Sequence, residues 1–322
     1  MPAASTSISG LTLVELLVAM STSLLVTLAA MSGLQIGQEG LRAVDASTQL
    51  QENAYFASEL IRRTALQAGF VNAESAPRRG LTPQTPRTGS APHIQGFNNA
   101  RYSNSLLQGS LASAGINNSD VLVIRYQASG NRTSETADAS MIDCAGMTDD
   151  TSPQGSTERL VSIFHINLSN GEPTLMCTRY KPSTGQWDTQ PLVAGVENLQ
   201  VLYGTHGVIA HTAPTPLTAP TLTAPTEHYL RADQLSVHND LEATYANWAR
   251  VRSLRVGLLL RGPEGSAPPG PALHIPLLGS AAQGFSSATT DPGSLASPPP
   301  TDRRLRQALT FTVHLRNTQD PW

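Results

Sequence analysis

Glu15 is the residue whose position most demands a chemical explanation, because it is the one acid in an otherwise apolar stretch, SGLTLVELLVAMSTSLLVTLAAMSGLQIG. From Leu11 to Leu34 almost every residue is apolar or a small hydroxyl. At ~1.5 Å of rise per residue a helix of that length crosses a hydrocarbon core of ~30 Å. A carboxylate at bilayer depth costs about 2.5–3.5 kcal/mol on insertion scales, so a partner is required. Cleavage after Gly10 would create one. The new amine of Leu11 would lie one helical turn from Glu15, at the end of the helix that favours anions.

The rest of the chain offers little other chemistry. It contains no GxSxG elbow, P-loop, GxGxxG or HExxH motif, so no cofactor or catalytic residue is expected. Of the eight histidines only His206 and His211 are close, and they lack cysteine or acidic companions at zinc spacing. Asp143, Asp149 and Asp150 loosely suggest calcium but lack the glycine and terminal glutamate of an EF-hand loop, so no metal site is expected either. With 14% charged residues and a net charge of -3, nothing points to bulk polyanion binding. Arg78, Arg79, Arg87 and Arg101 stand against Glu74 in one loop, but no aromatic ladder or recognised nucleic-acid module accompanies them. The expected role is assembly, not catalysis.

The elements that must carry Glu15 follow in order. Gly33, Gly37 and Gly40 mark a place just beyond the apolar run where the helix is free to bend or melt. Helix resumes from about Leu41 to Ala68. Leu50, Ala54, Ala57, Ile61, Ala65 and Ala68 form a stripe at 3.6-residue spacing that Phe56 and Leu60 widen, and Gly69 with Phe70 supplies the cap. Residues 71–118 read as loops. Strands are expected from Asp120 through Tyr126 and at 159–168, 173–180, 196–203, 252–261, 273–278 and 307–316, with Asn170-Gly171 as a hairpin turn. The run TAPTPLTAPTLTAPT within 205–226 reads as extended and solvated, as does 286–302, and 231–248 reads as a short helix. The fold class is α+β: a long N-terminal helix, half membrane-spanning and half amphipathic, packed on an antiparallel β-sheet domain.

Gly10 followed by LTLVE and an apolar run resembles the class III signal of type IV prepilins. LQENAYFASELIRRTALQAGF (50–70), SDVLVIRYQ (119–127), PLVAGVENLQVLYG (191–204), VRSLRVGLLLR (251–261) and RRLRQALTFTVHLRN (303–317) resemble successive blocks of the PilW family of minor pilins. The resemblance implies a prepilin peptidase that cuts between Gly10 and Leu11 and N-methylates Leu11, with Glu15 guiding the subunit into a growing filament by pairing with an N-terminal amine. It implies a leader at 1–10, a transmembrane half-helix at 11–34, an amphipathic half-helix at 35–69 and a periplasmic sheet domain at 70–322, with long loops at 71–118, 205–226 and 286–302. The implied partners are the prepilin peptidase, other minor pilins, the major pilin, a tip adhesin, the inner-membrane assembly platform and, through residues 11–34, the lipid bilayer. The implied location is the inner membrane, single-pass with a periplasmic domain, and then the pilus at the cell surface, where motility, adhesion or DNA uptake are served.

Two features depart from the family pattern. Leu11 stands where phenylalanine is commoner, and the leader MPAASTSISG has no lysine or arginine to orient it. Cys144 and Cys177, the two cysteines of the chain, read as a disulfide in an exported domain, with free buried cysteines as the alternative. Two other functions share much of the pattern. One is a J-type minor pseudopilin of a type II secretion system. The other is a DNA- or surface-binding module at a pilus tip.

Overall fold

The computed structural model describes residues 10, 12–72, 91–108, 113–130, 136–149, 159–181, 184–215, 225–268, 270–279 and 291–317. Residues 1–9 of the leader, Leu11, Arg78, Arg79, Arg87, Asp150 and most of the threonine–proline run lie outside the described residues.

Helix α1 (Leu13–Leu66) is continuous over 54 residues. At ~1.5 Å per residue it is ~80 Å long. It passes through Gly33, Gly37 and Gly40 without a break, so the loosening expected there is not found. The leucine, alanine and methionine residues around the three glycines are strong helix formers. The hydroxyls of the apolar half need no water: Ser21 donates to the Leu17 carbonyl at 2.8 Å, Thr22 to Val18 at 2.9 Å, Thr27 to Leu24 at 2.8 Å and Ser32 to Ala29 at 2.9 Å. Side chains satisfied in this way suit lipid. By length and composition α1 is long and apolar enough to cross a membrane.

The second half of α1 buries one face. Ala46, Leu50, Ala54, Ala57, Ile61, Thr64 and Ala65 are buried, and Ala68 just past the helix joins them. The small alanines let the helix approach the strands closely. Phe56 does not widen this face, since it is 53% exposed and looks outward beside Tyr55. The helix stops at Gln67, and Gly69 takes a left-handed φ of 74° that sends the chain onto the domain.

The expected sheet is in fact two. Strands β1 (Ile94–Phe97), β2 (Val121–Tyr126), β3 (Leu160–Ser169), β4 (Glu172–Lys181) and β5 (Gln186–Ala194) form a five-stranded antiparallel sheet in sequence order. Strands β6 (Val196–Thr205), β7 (His228–Leu230), β8 (Val251–Arg261) and β11 (Arg306–His314) form a four-stranded one, ordered β11-β8-β6-β7. The segment expected as a strand at 273–278 pairs only over β9 (Ile275–Pro276), against β10 (Leu295–Ala296). Asn170 (φ 51°) and Gly171 (φ 81°) make the left-handed turn of the β3–β4 hairpin. The expected helix at 231–248 divides into a 3-10 turn (Asp233–Leu235) and α2 (Leu241–Trp248).

Gly195 alone separates β5 from β6, and this is where one sheet becomes two. Its N–H donates to Pro173 of the first sheet at 2.8 Å, and its carbonyl accepts from Arg261 of the second at 2.8 Å. With a φ of 81° and the Arg261 carbonyl oxygen 2.7 Å from where a Cβ would stand, the position requires glycine. Both sheets and the buried face of α1 share one core, in which Ile61, Phe164, Leu175, Leu199, Tyr126 and Tyr203 are fully enclosed.

Candidate assembly site

The first turn of α1 is a capping box. Thr12 is the N-cap: its hydroxyl accepts from the Glu15 N–H at 3.3 Å, while the Glu15 carboxylate accepts from the Thr12 N–H at 2.9 Å and the Thr12 hydroxyl at 3.0 Å. Two otherwise orphaned groups at the helix start are thereby satisfied. Glu15 is thus held by Thr12 in the chain as it stands, and Leu11, whose amine the sequence reading pairs with Glu15, lies outside the described residues. Thr12 was passed over in that reading although T-x-x-E before an apolar run is the signature of this box. Gly10 is exposed, and nothing lies within 4 Å of its Cβ direction.

At its other end α1 is clamped by three separate parts of the domain. The Gln67 side chain donates to the Ile142 carbonyl at 2.8 Å and accepts from the Ile142 N–H at 2.9 Å. Asn317 donates to the Ala68 carbonyl at 3.0 Å, and the Gly69 N–H donates to Arg125 of β2 at 3.0 Å. The segment around Ile142 is itself anchored, because Cys144 is disulfide-bonded to Cys177 of β4 with both sulfurs enclosed and the Cα atoms 5.7 Å apart. Asp143 belongs to the same anchor. One carboxylate oxygen accepts from the N–H groups of Ala145 and Met147, and the other meets Arg179 at 2.9 Å.

The remaining sequence candidates do not converge. His206 lies 3.1 Å from Glu227, and His211 occupies a left-handed turn (φ 61°) whose N–H donates to Gln234. Among the described residues no three His, Cys, Asp or Glu side chains are grouped to hold a metal ion. Arg101 is exposed in the described part of the 71–118 loop, which folds further than expected and contributes β1.

Several charged groups that sequence reasoning did not single out tie the two sheets together. Asp120 accepts from the Asn99 and Val201 N–H groups at 2.9 Å each, and its own N–H donates to Leu199, so it covers part of the β6 edge. Burial pushes its carboxyl well above the usual carboxylate range. Glu197 of β6 receives Arg306 of β11 at 2.7 Å and Arg261 of β8 at 3.2 Å, and Arg261 also reaches Glu172 of β4 at 2.7 Å. Glu197, Arg261 and Arg306 border an open groove of about 520 Å³ that also includes Asn117, Leu168 and Pro173. Among the described residues its charged side chains, Glu197, Asp302, Arg261 and Arg306, are paired with one another.

A long helix, apolar and exposed in its first half, is buried in its second half against antiparallel sheets. Residues 163–317 match the family model described as type IV pilus-assembly protein W, PilW. The resemblance to this family is therefore found over the stretch that holds most of β3 and every later strand, including the blocks at 191–204, 251–261 and 303–317, while those at 50–70 and 119–127 fall outside it. Among solved structures, a type IV-like pilin from Thermus thermophilus is similar over 84% of this chain and 96% of its own, at 12% identity and a TM-score of 0.38. No curated protein sequence matches the chain.

Proposed function

We propose that this chain is a minor pilin: a structural subunit that, with other minor pilins and the major pilin, primes or caps a type IV pilus, and so serves motility, adhesion or DNA uptake. The observation that supports this most is the division of α1. Its first half exposes Leu13 to Leu34 along a bilayer's depth and carries Glu15 at its start, while its second half is fixed to a stable domain. In this reading the precursor sits in the inner membrane with the domain in the periplasm. The prepilin peptidase cuts between Gly10 and Leu11 and methylates Leu11. The freed amine, its own or a neighbour's, then competes with Thr12 for the Glu15 carboxylate. The capping box keeps that carboxylate pointed back along the helix start until the amine arrives. The assembly platform and a tip adhesin complete the set of partners.

Replacing Glu15 tests the proposal. Glu15→Ala is expected to leave cleavage intact and to lower incorporation into filaments at least tenfold, measured by immunoblot of sheared material against the membrane fraction. Unchanged incorporation would remove the carboxylate from the assembly step.

A further inference from the structure

Among the described residues, 141–149 join neither sheet; the one bridge there, Ile142 to Thr148, is internal to the segment. Its turn is closed by the Asp143 N–H, which donates to the Met147 carbonyl at 2.8 Å, and Gly146 and Met147 are exposed at the tip. One side of the segment meets α1. Ile142 exchanges hydrogen bonds of 2.8 and 2.9 Å with the side chain of Gln67, the residue that ends the helix. The other side meets β3 and β4. The Cys144 N–H donates to the Ser162 hydroxyl at 3.1 Å, Asp143 pairs with Arg179 at 2.9 Å, and Cys144 is bonded to Cys177. The segment therefore bridges the last turn of α1 and the first sheet.

These ties are not equivalent. A hydrogen bond lost on opening is largely replaced by one to water. Arg179 keeps Asp188 at 2.8 Å when Asp143 leaves, so the ion pair is replaced in part as well. The disulfide has no such substitute, and while it is intact the segment cannot leave β4. Breaking it takes nothing from the sheet, because Cys177 stays in the ladder opposite Phe164 of β3 and Gln190 of β5.

We propose that residues 141–149 form a redox clasp. With Cys144–Cys177 oxidised the clasp holds the last turn of α1 on the first sheet through Gln67, and reduction releases that turn while both sheets stay folded. A dithiol reductant carries out the step. Its two thiols give up two electrons and two protons and close to a disulfide, while the Cys144–Cys177 bond breaks and each sulfur becomes a thiol. Both sulfurs are enclosed, so the segment has to open before an attacking thiolate reaches them. The inference does not rest on the pilin reading, since it concerns how α1 is held and not what the chain assembles into.

The test is hydrogen exchange read by mass spectrometry on the full-length protein in detergent, before and after reduction with dithiothreitol. Amides of 63–69 and 141–149 are expected to exchange about tenfold faster in the reduced protein, with those of β6 and β8 unchanged. Cys144→Ala with Cys177→Ala, which needs no reductant to reach the sulfurs, should match the reduced protein. Gln67→Ala with the disulfide intact should speed exchange at 63–69 and leave 143–149 slow, which separates the tie through Gln67 from a general loosening. Slow exchange at 63–69 in the double variant overturns the proposal. So does acceleration of β6 and β8 in step with 63–69, or a Gln67→Ala variant that exchanges like wild type. A bond that dithiothreitol leaves oxidised in the folded protein overturns the clasp as a redox device.

Discussion

Replacing His165 by glutamine should make the domain's stability less sensitive to mild acid. His165 lies on β3, 2% exposed, with its Nε2 3.0 Å from the Thr178 hydroxyl and its ring stacked on Tyr102 at 4.8 Å between centroids. Burial lowers its pKa from 6.5 to about 4. Below pH 6.5 the unfolded chain therefore binds a proton that the folded chain refuses. The contribution of this histidine is fully present above 6.5 and is lost as pH falls toward 4, after which both states are protonated and the effect levels off. Two and a half pKa units correspond to about 3 kcal/mol at the acid end of that window. Asp120 works in the opposite sense, since a carboxyl held above its usual range favours the folded state at lower pH. It is present in both proteins and cancels in their difference. The assay is guanidinium unfolding of the full-length protein in detergent, followed by the fluorescence of Trp248, which is buried against Tyr203. The difference in unfolding free energy between wild type and His165→Gln should change by about 3 kcal/mol between pH 7 and pH 4. A constant difference across that range would refute the assignment of the histidine as buried and neutral.

Three further outcomes are expected of the domain. Glu197→Ala removes the carboxylate that Arg306 and Arg261 share, leaving Arg306 with Asp302 and Arg261 with Glu172, and should cost about 1–3 kcal/mol, measured by the same unfolding assay. Gly96→Ala places a methyl group 1.8 Å from the Tyr203 hydroxyl, where strand β1 crosses β6, and should lower stability by at least about 1–3 kcal/mol, read as a fall in melting temperature. Reduction of Cys144–Cys177, which closes a separation of 33 residues, should add two daltons to the intact mass and cost about 3–4 kcal/mol.

What was legible in the sequence was whatever is set by local pattern. The stripe from Leu50 to Ala68 declares its buried face because a helix repeats every 3.6 residues, and Asn170-Gly171 declares its turn because few residues tolerate positive φ. Cys144 and Cys177 had only each other to bond. Strand β5 escaped because Gln186, Asp188, Gln190 and Pro191 lack strand character; Pro191 is tolerated there because β5 is an edge strand. The division into two sheets was hidden in a single residue, Gly195, which interrupts an otherwise unbroken run of strand. Phe56 was misjudged because an aromatic near an apolar stripe need not belong to it. The ties that lock the sheets were out of reach altogether. Asp120 bonds Val201 across 81 positions and Glu197 bonds Arg306 across 109, and no short-range pattern records such a pairing. At the candidate site Glu15 stood out as a charge in an apolar run, while Thr12, which holds it, carries an unremarkable side chain and is recognised only from the three-residue spacing of the box.

The measurement that bears most directly on the pilin reading is mass spectrometry of the N-terminal peptide from membranes and from sheared filaments. A peptide that begins at methylated Leu11 and is recovered in the sheared filaments is the expected result. An intact Met1 terminus, or a cut after residue 30, would contradict it.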